Sequence, residues 1–231
     1  MSIAESMSST RPSGIFTRFP NCVADMRVVS SIALLLVVSL AAPLSHAAGT
    51  ILVVGDSLSA AYGIDKQRGW VALLQQRLQR QSSAYRVVNA SISGDTTRGG
   101  LARLPAALKR ESPTILILEL GANDGLRGFA PEQTRDNLRR MIKQARGAGA
   151  SILLLGIKLP GNYGSVYGEK FHRVYLDLAH EEQVELVPFF LEGVAETREL
   201  MQADGVHPGV EAQARILDNV WAGLAPLLTE N

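Results

Sequence analysis

The chain has 231 residues, with 23 basic against 22 acidic side chains, a formal net charge of +1, 46% apolar residues and only 6% aromatic ones. That balance excludes a nucleic-acid partner, which demands a basic surface, and the low aromatic content excludes a sheet built to stack bases. The length suits one domain with a sizeable core.

Residues 1–25 are polar, Ser-rich and without pattern. Met26-Arg27 then opens an apolar run over 28–44 that ends in Ser45-His46-Ala47, with small residues at the two positions a signal peptidase reads. The expectation is an N-terminal extension and cleaved signal peptide over 1–47. A periplasmic or secreted chain over 48–231 would remain. The alternative is a retained membrane anchor, but the run is short for a span, contains Pro43 and lacks a basic flank after it. No membrane anchor is expected after cleavage near Ala47. Either Met1 or Met26 is the start. The single cysteine, Cys22, lies in the extension, so the processed chain would hold neither disulfide nor thiol chemistry.

From Thr50 onward, continuous apolar runs alternate with amphipathic segments, the pattern of repeated β-α units. Strands are expected over 51–54, 86–90, 114–120, 151–157 and 184–189. Apolar residues at consecutive positions imply burial on both faces, as in a parallel sheet covered by helices. Helices are read from their stripes: Trp70, Leu74 and Leu78, with Leu73 widening the face; Leu138, Met141, Ile142 and Ala145; Phe171, Val174, Tyr175 and Leu178; Ile216, Leu217, Val220, Trp221 and Leu224. Pro105, inside a helical segment over 97–109, predicts a kink or a restart. Gly147 and Gly149 are stop signals. The Gly/Pro-rich stretch 158–168 leaves the carboxyl end of the fourth strand and reads equally as the wall of a substrate groove or as a plain surface loop. No internal repeat or linker interrupts the chain, so 48–231 forms a single domain.

Ser57, in Gly55-Asp56-Ser57-Leu58-Ser59, follows the first strand directly. A small polar residue on a tight turn at that edge suits a nucleophile, because ligands of open α/β sheets collect there. It needs a base, a group to orient the base, and donors for an oxyanion. Of the four histidines, His46 falls in the signal segment, and His172 and His180 read as exposed helix residues. His207 remains, in Asp204-Gly205-Val206-His207-Pro208. A carboxylate three residues before an imidazole can share one turn with it, leaving Nε2 free for Ser57. The plainer reading is an Asx-turn beside a surface histidine.

Three oxyanion donors are candidates: the Ser57 backbone N–H, the N–H of Gly94, and the Asn123 side-chain amide. Gly94 follows the second strand and Asn123 the third. Singly, Gly94 is an ordinary turn glycine and Asn123 an ordinary turn former; their joint placement at one sheet edge is the argument. Asp56, Asp95 and Asp124 read as turn and cap groups. A metal site built from them is the alternative, without a histidine partner or ligand spacing, and no metal is expected. Arg139, Arg140, Lys143 and Arg146 read as a solvated helix face.

These four loops resemble the blocks of the SGNH (GDSL-type) hydrolase superfamily, its letters corresponding to Ser57, Gly94, Asn123 and His207. The match extends to NASISGDT at 89–96, GLARLP at 100–105, NDGLRGF at 123–129 and the LP–NYG element at 159–164, which are similar to the periplasmic multifunctional thioesterase and lysophospholipase branch. The resemblance implies a flavodoxin-like three-layer α/β/α sandwich with a five-stranded parallel sheet and no cofactor; a monomer is expected. It implies hydrolysis of small-molecule esters and thioesters: acyl-CoA, lysophospholipid, aryl and short-to-medium fatty acyl esters, through a triad of Ser57, His207 and Asp204 and an acyl-enzyme. It also implies an acyl groove edged by 121–128 and 158–168, with Leu159 matching a groove residue. Ala122 departs from the pattern, since close relatives carry a second glycine there, and a side chain at that point is expected to stiffen the Asn123 loop. The alternatives are a carbohydrate O-acetyl esterase and a non-catalytic flavodoxin-like module binding lipid or nucleotide.

Overall fold

β1 (Gly49–Gly55) is the first element that the computed structural model describes, and it lies inside the sheet. Its Ile51, Leu52, Val53 and Val54 are fully buried. The structure describes residues 49–228, so the expected signal segment, Cys22, His46 and cleavage at Ala47 lie outside the described residues. Four more strands follow: β2 (Tyr85–Asn89), β3 (Ile115–Glu119), β4 (Ser151–Leu155) and β5 (Glu185–Val187). Their order across the sheet is β2-β1-β3-β4-β5 and every pairing is parallel.

The helices are α1 (Trp70–Arg80), α2 (Thr97–Glu111), α3 (Ala122–Leu126), α4 (Pro131–Gly147), α5 (Ser165–Glu182) and α6 (Gln213–Leu224). α1 and α6 pack together on one face of the sheet, while α2, α4 and α5 form the layer on the other. This is the flavodoxin-like α/β/α sandwich. In that strand order the chain winds away in opposite directions from β1 and β3, which opens a crevice between their carboxyl ends. Ser57 follows β1 and Asn123 follows β3.

The stripes bury as their spacing demands. Trp70, Leu74 and Leu78 of α1 and Leu138, Met141, Ile142 and Ala145 of α4 are all covered. Trp221 of the last stripe stays half-exposed and carries the Arg77 guanidinium 4.0 Å above its ring centre. Pro131 opens α4 at the position where its missing N–H has no helical partner to lose. Gly149 adopts φ +84° just beyond the end of that helix, so the stop signal holds.

Three expectations need correction, and the restart half of a fourth falls while a kink at Pro105 stays open. α2 runs without restart from Thr97 to Glu111 through Pro105. Pro105 stands on the exposed side, while Leu101, Leu104 and Leu108 pack inward. The stretch 158–168 is not all loop, because a 3-10 turn forms at Gly161–Tyr163 and α5 begins at Ser165. His172 is half-buried, and its Nδ1 lies 3.1 Å from the Ile157 carbonyl, since the turn of α5 aims it at the end of β4. Finally, Arg139 and Arg146 reach Glu181 and Glu182 of α5 instead of standing free in water.

Candidate active site

The turn after β1 is built on Gly55. A Cβ there would fall 2.6 Å from Glu119 Oε2 and 2.8 Å from Ser59 Oγ, so only glycine allows the strand end to approach β3 so closely. The Ala60 N–H then donates to the Asp56 carbonyl at 2.9 Å and the Tyr62 N–H to the Ser57 carbonyl at 3.2 Å, coiling the chain behind Ser57. Asn89 of β2 donates to the Ser59 carbonyl at 2.8 Å and anchors that coil to the neighbouring strand.

Beneath Ser57 lie two buried acids. Asp56 Oδ1 accepts from the Leu58 N–H at 3.0 Å and Oδ2 from Asn123 Nδ2 at 3.0 Å. Glu119 Oε2 accepts from the Asp56 N–H at 3.2 Å and from Ser59 Oγ at 2.7 Å, while its Oε1 is buried without a partner. Burial is the main cause that pushes the Asp56 carboxyl up to about 7. Burial raises Glu119 well above the usual range too, and the charge of Asp56 raises it further.

The segment between β5 and α6 brings in the base. Asp204 Oδ1 accepts from the backbone N–H groups of Val206 at 2.9 Å and His207 at 3.0 Å. Its Oδ2 lies 2.7 Å from His207 Nδ1, and His207 Nε2 lies 2.9 Å from Ser57 Oγ. The backbone N–H of His207 is the largest of the causes that hold Asp204 down at about 2, ahead of the Val206 N–H and the imidazole. An ionised carboxylate only accepts, so Nδ1 carries the ring proton and Nε2 is left to accept from the Ser57 hydroxyl. Gly205 makes the turn at φ +67°. Gln202 ties this segment to the coil behind Ser57 by donating to the Tyr62 carbonyl at 2.8 Å. The Tyr62 ring leans on the imidazole with centroids 4.5 Å apart.

Gly94 and Asn123 sit on the two loops beside this pair. Gly94 has φ +81°, a conformation that favours glycine, and its N–H has no protein partner among the described residues. It does not line the cleft described below. Asn123 spends one amide hydrogen on Asp56 and keeps the other. The loops are strapped together: Asp124 accepts from the Thr97 N–H at 2.8 Å and the Thr97 hydroxyl at 2.5 Å, and Arg127 donates to the Gly94 carbonyl at 3.0 Å. Asp95 pairs with Arg103 at 2.7 Å, and Arg103 also donates to the Ala90 and Gly55 carbonyls. The three aspartates thus serve as turn and cap groups. No cluster of three or more metal-type ligands occurs among the described residues. Ala122 begins α3 with negative φ, so the residue there adds no backbone strain.

A cleft of about 410 Å³ opens at Ser57, Asn123 and His207, with Leu126, Ile157, Leu159, Phe189, Leu191 and Met201 among its walls. Leu159 presses on α3, where a Cβ at Gly125 would fall 2.4 Å from its Cδ2. Reading the sequence left out Glu119, Arg103, Tyr62 and the cleft residues from 189 to 201. A charged residue inside the apolar run 114–120 was the available signal for Glu119; the others carry none.

The GDSL-like lipase/acylhydrolase family model matches residues 53–215. Esterase TesA of Pseudomonas aeruginosa is 60% identical over 182 residues, covering 79% of this chain and 90% of that protein. Thioesterase 1/protease 1/lysophospholipase L1 of Escherichia coli is 48% identical over 185 residues, covering 80% of this chain and 88% of its own. A crystal structure of TesA superposes with a TM-score of 0.76 at 60% identity over 77% of this chain and 99% of that one. With its four motif blocks gathered at one sheet edge and the match running over most of its length, the chain belongs to the GDSL-like lipase/acylhydrolase family.

Proposed function

We propose that this protein is a serine hydrolase of carboxylic esters and thioesters, acting through Ser57, His207 and Asp204. The observation that carries the reading is the unbroken line of donors and acceptors: Ser57 Oγ to His207 Nε2 at 2.9 Å, and Nδ1 to Asp204 Oδ2 at 2.7 Å. His207 takes the Ser57 proton as Oγ attacks the acyl carbonyl. Asp204, ionised throughout the neutral range, stabilises the imidazolium that forms. The Ser57 and Gly94 N–H groups and the free Asn123 amide hydrogen receive the oxyanion, each good donor lowering the barrier by roughly 3 kcal/mol. The alcohol or thiol departs with the proton held by His207. Water, activated by the same imidazole, then releases the acid from the acyl-enzyme.

The apolar cleft sets the substrate class. Its volume and its Leu, Ile, Phe and Met walls favour an acyl chain longer than acetyl, as in lysophospholipids, acyl-thioesters and fatty acyl or aryl esters. This disfavours the carbohydrate acetyl esterase reading, and the donor line from Ser57 to Asp204 disfavours a merely binding module. The reaction draws on no cofactor. The run and processing pattern over 26–47 supports export to the periplasm, with a single processed domain over 48–231 acting as a monomer.

The test is labelling with a fluorophosphonate beside turnover of p-nitrophenyl butyrate. Wild type is expected to label and turn over, and Ser57→Ala to do neither. Equal labelling of both proteins would overturn the assignment.

A further inference from the structure

Among the described residues, the large apolar side chains that stand exposed are Tyr62, Ile92, Phe129, Val166 and Val206, each between 36% and 67% accessible. They come from separate parts of the chain, yet they share one edge of the molecule. Tyr62 follows β1, Ile92 follows β2, Phe129 lies between α3 and α4, Val166 is in the first turn of α5, and Val206 neighbours His207. All of these positions fall on the connections that leave the carboxyl ends of the five parallel strands, one on each. Single exposed apolar residues need no account, but a set confined to one rim does.

The rim is continuous with the cleft. Val206 lines it, and Tyr62 covers the imidazole at its mouth. Beside the rim are two polar hollows with cations. Lys66 lines one of about 490 Å³ together with Ile92, and Arg98 and Arg127 line one of about 440 Å³ together with Phe129. None of these three cations has a carboxylate within ion-pair distance among the described residues. Arg127 spends an N–H on the Gly94 carbonyl and shares its hollow with Asp124, so Lys66 and Arg98 are the cations left for phosphate head groups, beside apolar side chains that suit a layer of acyl chains.

We infer that this rim docks on a phospholipid surface, seating the cleft mouth against aggregated amphiphile so that a single acyl ester can pass into it. The inference rests on the acyl-ester reading for its purpose, but the docking itself is measurable without turnover. The exported, processed protein carrying Ser57→Ala is mixed with vesicles of equimolar phosphatidylcholine and phosphatidylglycerol and sedimented. Adding Ile92→Ser and Val166→Ser, neither of which touches the catalytic groups, is expected to lower the bound fraction about tenfold. With Ser57 intact, the same double variant should keep its kcat/KM on monomeric p-nitrophenyl butyrate within about twofold and lose activity on micellar lysophosphatidylcholine. Equal vesicle binding by parent and variant, or no binding by the parent, overturns the proposal. So does a parent dimer that the two substitutions dissolve while vesicle binding is unchanged, since the rim would then belong to a second copy. If wild type fails on p-nitrophenyl butyrate, the hydrolase reading falls, and the sedimentation result still decides the docking.

Discussion

Asp56 Oδ2 accepts from Asn123 Nδ2 across 3.0 Å, so the side chain next to the candidate nucleophile sets which end of the candidate oxyanion amide faces the cleft. An amide has a donor end and an acceptor end. Asp56 Oδ2 takes the donor end, which leaves the second N–H, and not the carbonyl, for the substrate oxygen. Asp56→Asn is expected to free that choice and lower kcat by about tenfold to a hundredfold with KM little changed. In an Asn123→Ala background the same substitution should cost far less. Steady-state kinetics of the four proteins checks this, and additive losses would remove Asp56 from the oxyanion site.

The same acid makes stability depend on pH. Its pKa is raised from the ordinary 3.8 to about 7, so the fold favours the protonated form. Stability linked to Asp56 is complete below the ordinary value and is lost as pH rises towards about 7; Glu119, also raised, acts in the same sense. Melting temperatures from about pH 5 to about pH 8 should therefore fall more steeply for wild type than for Asp56→Asn. Asp204 works in the opposite sense. Held at about 2, it contributes stability above its ordinary 3.8 that is lost only as pH falls through about 2, outside that window.

Asp204 is exposed, so its removal should spare the fold while disabling the base. Asp204→Ala is expected to lower kcat/KM by about 10²- to 10⁴-fold, since the ring loses its tautomer and its orientation together. Its melting temperature should fall only slightly, by the loss of the two exposed backbone N–H caps. A large drop in stability would show that the two backbone N–H groups it caps matter more than the imidazole.

Leu159 tests the acyl wall. Leu159→Ala widens the cleft next to α3 and should lower kcat/KM for octanoyl esters about tenfold relative to acetyl esters. Gly125→Ala, whose Cβ would press on the Leu159 side chain, is expected to disturb the same preference. A ladder of p-nitrophenyl esters of rising chain length reads both, and an unchanged profile would place the acyl chain elsewhere.

Gly121 holds the Asn123 loop against α5. It has φ +123°, and a Cβ there would fall 2.1 Å from the Tyr175 hydroxyl, which donates to the Leu120 carbonyl at 3.0 Å. Gly121→Ala should destabilise the protein by at least about 1–3 kcal/mol, combining backbone strain with an unsatisfied buried carbonyl. Calorimetry measures it, and Tyr175→Phe should show the hydrogen-bond share alone.

Much of this protein is written locally. Consecutive apolar residues such as Ile51 to Val54 announce a strand covered on both faces, and four-residue spacing in Trp70, Leu74 and Leu78 announces a helix, because each pattern reflects the repeat of its own backbone. Asp204 and His207 are also local, since three residues and one glycine suffice to turn a carboxylate onto an imidazole. What the chain could not declare is which distant residues meet. Glu119 lies under Asp56, 63 positions away, only because β3 pairs beside β1. Tyr62 covers His207, and Phe189 and Met201 wall the cleft, only because the crevice opens where the sheet reverses its winding. Periodicity fixes what each segment becomes, whereas the order of strands in the sheet decides which segments share the site.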